Sequence, residues 1–430
     1  MAGRPSLPTL AGRPNLCIAA LCVLYAAQGM PDRFVRVGLK NYLIDEGVGT
    51  AAIGGLIAAI SWPWALKWVW GPILDRFSHS VMGRRRPWIL LAESGMVAML
   101  AALLAVELAT GQVGRSLALL GAMVLSVNLF AALSDVAVDA TAIDLLPAER
   151  RGAANGLMQA SLAVGSFLGG QVLGLLLIRR GLATAIGAEI AILLAVMLVP
   201  LLLRERPGDA WLSLRSRPRE TDRETVPRSA RTLFGLLLRS LLTRPIAAAA
   251  VLALLSCVAH GAFLVVWPVH LRRGLGWTDA QLLTLEGGYA IPAEIAGALV
   301  GGFVASRIGA RRSTTLATLA MAAIWIAHAA LPWGSHTIVT GLYLAELFAF
   351  GLLSVSMFSL FMALADGPIA ATQFSAFMAM LNLSQGGGSL LAGAAERVGL
   401  VAVFIGLAAL QAALVGLIWL IGPVADERRR

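Results

Sequence analysis

The sequence predicts an all-α integral membrane protein with twelve transmembrane helices in two six-helix, pseudo-symmetric bundles. Three observations predict it. Apolar runs of about 20 residues, the length that crosses a hydrocarbon core, recur along the chain. One polar, arginine-rich stretch divides these runs six and six. A similar polar turn follows the second run of each half.

The first observation rests on composition and pattern together. Hydrophobic residues make up 58% of the 430, and charged residues only 13%, against about 25% in soluble domains. A soluble chain of this length would show polar faces at helical or strand period. Here the long apolar runs lack such a face, which is the signature of lipid contact. In order, the spans are expected at roughly 15–42, 49–71, 87–108, 116–145, 152–178, 183–203, 245–269, 279–305, 313–332, 338–364, 373–395 and 399–421. Arg4 and Arg13 precede the first run. It is read as a membrane helix rather than a cleaved signal because eleven more runs follow. Glycines crowd the fifth span (Gly165, Gly169, Gly170 and Gly174) and predict close helix packing. The domain organisation that follows is 1–203, a cytoplasmic linker at 204–244, and 245–430. The linker carries Pro207, Pro218, Pro227 and ten arginines.

Charge gives an orientation. The net charge of +10 does not point to nucleic acid, because the arginines sit in short clusters between apolar runs. That pattern fits membrane topology and attraction to anionic lipid heads. With the N-terminus in the cytoplasm, 24 of the 34 lysines and arginines fall on the cytoplasmic side and 9 on the other. Both termini are therefore expected in the cytoplasm. Cys17, Cys22 and Cys257 lie in apolar runs without zinc or redox spacing. No nucleotide motif, metal-ligand set or Ser-His-Asp candidate is present, so neither an enzyme nor a cofactor is expected.

The repeat is the third observation. Gly71-x-x-x-Asp75-Arg76 and then Gly83-Arg84-Arg85-Arg86 follow the second span. Gly302-x-x-x-Ser306-Arg307-x-Gly309-x-Arg311-Arg312 follows the eighth. Two parallel six-helix repeats with this turn resemble the major facilitator superfamily. Three blocks narrow the resemblance to the AmpG-type muropeptide permeases and the related acetyl-CoA transporters. The first is Ala65-Leu66-Lys67-Trp68-Val69-Trp70-Gly71-Pro72 through Asp75-Arg76, with Trp88 beyond. The second is Ser134-Asp135-x-x-x-Asp139, with Asp144 through Ala153. The third is Ala371-Thr372-Gln373-Phe374, with Glu346 upstream. Ala259-His260 stands where that group carries a lysine and an acidic residue. The resemblance implies secondary transport of a small-molecule solute by alternating access, in the cytoplasmic (inner) membrane.

Ionisable groups inside a membrane cost about 2.5–3.5 kcal/mol at a helix centre, so each needs a partner, a watery cavity or a reach to the interface. Asp135 and Asp139 lie four apart and share one face of the fourth span. Two carboxylates this close do not both ionise easily, so one is suited to picking up and releasing a proton. A structural ion pair is the alternative. Lys67 can snorkel to the headgroups or pair with Asp135 or Asp139. His260, Glu294, Glu346 and Gln373 are candidate solute-binding groups in the second half. The loop residues Gly71, Asp75, Arg76, Arg84, Arg85, Arg86, Arg307, Arg311 and Arg312 form the expected gate. A carboxylate at a helix end can receive a neighbouring helix N-terminus and pair with arginine.

The first span is expected to continue past Pro31. Stopping there would leave only about 24 Å of helix from Leu16, short of a core of about 30 Å. Continuation sets Asp32, Arg36 and Lys40 on one stripe, with Arg33 beside them. This surface is net positive and predicts an anionic solute held partly by Arg33 or Arg36. The reading is thus a monomeric, proton-linked transporter of an organic anion, with partners limited to solute, protons and lipid. Import of a muropeptide leads among the specific solutes. The rivals are a siderophore or other organic anion, and a non-transporting sensor or assembly factor.

Overall fold

The structure is a computed structural model that describes residues 9–76, 80–111, 116–213, 215, 235, 238–365 and 370–422. Most of the 204–244 linker therefore lies outside the described residues. The described chain is helical, and ten of its helices are long and apolar enough to cross a membrane. They are α1 (Pro14–Asp45), α4 (Arg86–Thr110), α5 (Leu117–Leu145), the fifth span (Leu157–Arg180), α8 (Leu182–Leu202), the seventh span (Arg244–Arg273), α11 (Asp279–Ile308), α12 (Ala310–Ala330), α13 (His336–Leu364) and α16 (Leu400–Ile421). The second span is broken at Leu66 into α2 (Thr50–Ala65) and α3 (Lys67–Arg76). The fifth comprises α6 (Ala148–Phe167) and α7 (Gly174–Arg180), joined by a wider turn at Leu168–Leu173. The seventh is α9 (Arg244–Ser256) and α10 (Val258–Arg273). The eleventh is α14 (Ala370–Leu390), followed by the short α15 (Ala392–Val398). All twelve expected spans thus correspond to helix.

The chain divides into two compact units, Met1–Tyr42 with Leu66–Val226, and Leu43–Ala65 with Pro227–Arg430. The second unit thus takes in α2, which the linker does not separate from the first.

In the first unit α1 runs unbroken past Pro31, as the length argument requires. Proline removes one backbone donor and crowds the preceding turn. A π-helical turn at Phe34–Leu39 follows and absorbs the mismatch, with the Phe34 N–H shared between the carbonyls of Met30 and Pro31. α1 packs against α6 at backbone distance, and glycine makes this possible. A Cβ on Gly165 would stand 1.8 Å from the Ala26 carbonyl oxygen. Gly165→Val is therefore expected to force the two helices apart and to remove most folded protein from a detergent extract, by more than the ordinary overpacking cost of about 1–3 kcal/mol. A wild-type elution profile and melting temperature for that variant would refute this packing.

The second unit shows the same device between α11 and α13. A Cβ on Gly297 would meet the Phe348 carbonyl oxygen at 1.8 Å. Its core is aromatic: Phe263, Trp267, Trp325 and Phe404 are all buried, and Phe263 meets Trp325 edge-on at 5.0 Å.

Candidate functional site

The first unit gathers its intramembrane charges at one place. Breaking the second span at Leu66 sets Lys67 as the first residue of α3. Its Nζ lies 2.6 Å from Asp135 Oδ2 on α5, with the lysine side chain 32% exposed and the aspartate 9%. One turn further along α5, Asp139 accepts a hydrogen bond from the Tyr25 hydroxyl of α1. Of the partners the sequence left open for Lys67, Asp135 is in ion-pair contact, and the field of the ammonium also reaches Asp139. Tyr25 and Gln28, both on α1, are members of this cluster that sequence reasoning missed. An apolar run with an occasional tyrosine or glutamine carries no signal by itself, although their three-residue spacing on one helix face is visible in retrospect.

Two further buried carboxyls went unnoticed in the sequence. Glu93 on α4 is fully buried, and its Oε1 lies 3.1 Å from Ser134 Oγ on α5. Glu189 on α8 is fully buried beside Pro31, Phe34 and Leu103, with no hydrogen-bond partner for either oxygen among the described residues. Each is an acidic residue well inside an apolar span, the cost signal already applied to Asp135 and Asp139.

Along α1, Arg36 Nε donates to both carboxylate oxygens of Asp32, at 2.9 and 2.8 Å. This neutralises one of the positive groups, as charge counting suggested. Arg33 is half-buried and Lys40 almost fully buried.

The arginine run after the second span is clasped from two sides. Glu205, just beyond α8, accepts hydrogen bonds from the backbone N–H groups of Arg84 (2.8 Å), Arg85 (2.7 Å) and Arg86. Burial pushes the Glu205 carboxyl up from the usual range, and those three donors pull it back. Asp144 at the end of α5 pairs with Arg85 at 2.9 Å and Arg84 at 3.5 Å. The buried Arg86 guanidinium donates to the carbonyls of Pro200, Leu201 and Ala210, capping the end of α8. Of the remaining gate residues in this unit, Gly71, Asp75 and Arg76 fall on α3, and their side chains lie outside the described residues.

In the second unit His260 on α10 and Glu346 on α13 come together, with Nδ1 and Oε1 at 2.8 Å. The imidazole stacks on Phe350, with ring centroids 3.5 Å apart and planes 7° apart. Both side chains are almost wholly buried. Glu294 on α11 is half-buried and adds its charge to the field at Glu346. Gln373 is buried on α14. Arg307 lies over the Phe303 ring at 4.7 Å and Arg311 over the Trp419 ring at 4.6 Å, while Arg312 is exposed.

Long apolar helices, intramembrane carboxyls with fixed partners and a repeated arginine turn define a membrane transporter rather than an enzyme. The chain belongs to the Major Facilitator Superfamily, whose profile matches residues 21–389. Among curated proteins it is similar to the anhydromuropeptide permease of Escherichia coli strain K12, at 25% identity over 296 residues. That alignment covers 69% of this chain and 56% of the permease, so the chain spans about half the length of the curated relative it matches. An uncharacterized protein of Haemophilus influenzae is 28% identical over 127 residues, covering 30% of this chain and 28% of its own.

Among solved structures the fold is similar to that of a bacterial homologue of the human lysosomal transporter Spinster in an inward-facing, unoccupied conformation. The TM-score there is 0.68 at 15% identity, over 96% of both chains. It is also similar to that of the nucleoside transporter NupG, with a TM-score of 0.68 at 14% identity, over 95% of this chain and 100% of the other. The multi-pass membrane character read from the sequence is therefore a property of the family.

Proposed function

We propose that the chain is a proton-linked secondary transporter of an organic anion in the cytoplasmic membrane, with both termini inside, working by alternating access. The observation that carries this reading is the cluster of Lys67, Asp135, Asp139 and Tyr25. It sets two carboxyls on one turn of α5 and places the Lys67 ammonium in contact with Asp135 and the Tyr25 phenol on Asp139. Asp135 lies against Lys67 at 2.6 Å, and Asp139 accepts from the neutral Tyr25 phenol, so Asp139 is the group suited to bind and release a proton. The gating role read for Gly71, Asp75, Arg76, Arg84–Arg86, Arg307, Arg311 and Arg312 belongs to the same reading. The contacts of Arg84 and Arg85 with Asp144 are of the kind that hold one conformation and break in another.

Similarity to the anhydromuropeptide permease makes a muropeptide the leading solute. The test is uptake in proteoliposomes, with an imposed proton gradient and labelled muropeptide, siderophore and acyl-CoA in parallel. Gradient-dependent accumulation of one of these supports the reading. Failure of any gradient to drive uptake of any of them refutes the proton linkage.

The anion preference rests on α1, where Arg33, Arg36 and Lys40 outnumber Asp32 on one continuous helix. Arg36→Gln is expected to weaken affinity for an anionic solute about tenfold or more, the size of a charge-assisted hydrogen bond of about 1.5–3 kcal/mol. Unchanged affinities in both Arg33→Gln and Arg36→Gln, or a cationic solute, would overturn the preference.

A further inference from the structure

A line of polar side chains leaves the Asp135 site and ends at Glu93, crossing three helices of the first unit. Gln28 on α1 stands between Ser134 and Asp135 on α5, and Ser134 stands between Gln28 and Glu93 on α4. Gln28, Ser134 and Glu93 are all fully buried.

Donor and acceptor counting allows the line two directions. In one, the Gln28 amide nitrogen donates to Asp135 Oδ1 at 3.1 Å, and its oxygen accepts from the Asp135 backbone N–H at 3.3 Å. The Gln28 oxygen then occupies the place 3.4 Å from Ser134 Oγ, where its second lone pair can take the single serine hydrogen. With the serine hydrogen given to Gln28, Ser134 Oγ accepts from Glu93 at 3.1 Å, and Glu93 carries a proton. In the other direction the amide is turned over, and its nitrogen then faces the Asp135 backbone N–H at 3.3 Å, donor to donor, so this direction is the costlier one at rest. Gln28 donates to Ser134, and Ser134 donates to a Glu93 carboxylate. The Gln28 oxygen now faces Asp135 Oδ1, so Asp135 must carry the proton.

We propose that Glu93 is a second proton-holding carboxyl, and that the Gln28–Ser134 pair ties its occupancy to that of Asp135 so that a proton sits at one end of the line or the other. The inference rests on the proton-linked reading above and deepens it. The ionisable groups at the Asp135 end of the line are Lys67 on α3, Tyr25 on α1 and Asp139 on α5, and the same packed elements also carry Asp32, Arg33, Arg36 and Lys40 on α1, Glu107 on α4 and Glu189 on α8. Lys67 is the cation in contact with Asp135. Its ion pair with Asp135 favours the first direction, with the proton on Glu93. Solute or a change of conformation that draws Lys67 away favours the second. No bond other than O–H is made or broken, and the proton count of the line is constant in both directions.

Two measurements test this. Infrared spectra of the purified protein are expected to show a protonated carboxyl band near neutral pH that disappears in Glu93→Gln. In proteoliposomes, Ser134→Ala removes the shared hydroxyl with little change in volume. It is expected to displace the pH midpoint of proton-driven uptake by about one unit, while Ser134→Thr, which restores a hydroxyl, returns it. Absence of the band in wild-type protein, or an unmoved midpoint in Ser134→Ala, would overturn the proposal. A wild-type protein that shows the Glu93 band but no gradient-driven uptake would refute the transport reading alone.

Discussion

Asp139→Asn is expected to abolish proton-driven accumulation and to leave solute exchange near the wild-type rate. Accumulation requires a group that takes a proton on one side of the membrane and gives it up on the other. Exchange requires only that the loaded carrier reorient. An asparagine keeps the shape of Asp139 and can still accept from the Tyr25 hydroxyl, so folding is preserved while titration is lost. Asp135→Asn is expected to be milder for accumulation, because Asp135 already has Lys67 at 2.6 Å as a counter-charge. Uptake at an imposed gradient and counterflow without one, measured on the same vesicles, separate the two effects. Gradient-driven accumulation at wild-type level in Asp139→Asn would remove Asp139 from the coupling role.

The second large effect is expected at Lys67. Lys67→Met strands the Asp135 carboxylate, only 9% exposed, without its cation. Removing one member of a buried ion pair costs about 3–5 kcal/mol, and the partial exposure of Lys67 places this case near the lower end. Lys67→Met is therefore expected to lower the melting temperature of the detergent-solubilised protein by several degrees. The double variant with Asp135→Asn is expected to recover most of it, because no charge is then left unpaired. Additive losses in the double variant would show that the two side chains are not energetically paired.

Much of this molecule was legible in the sequence. The helices were visible because a lipid solvent demands about 20 apolar residues per crossing and tolerates no unpaired backbone. The continuation of α1 past Pro31 followed from length alone, and the structure shows how it is achieved, through the π turn at Phe34–Leu39. Asp135, Asp139 and Lys67 stood out because charge is costly in an apolar span. Glu93 and Glu189 have the same signature and were passed over. Neither has a second acid within a turn or two on its helix, whereas Asp135 and Asp139 announce themselves by their four-residue spacing. Tyr25, Gln28 and Ser134 could not be found that way, since a neutral polar side chain inside a membrane helix is an ordinary occurrence.

The sequence by itself determined the helical class, the family, the crossing segments and the short set of charges that need an explanation. These depend on composition and on spacing within one helix. The tertiary structure alone decided who meets whom: Lys67 with Asp135, Tyr25 with Asp139, His260 with Glu346, and Glu205 with the backbone of Arg84–Arg86. Those partners lie on separate segments of the chain, 68 to 121 positions apart. Helical periodicity says which face a residue occupies and nothing about which neighbour that face will touch. That is settled where glycines such as Gly165 let two backbones close and fix the register of one helix on the next.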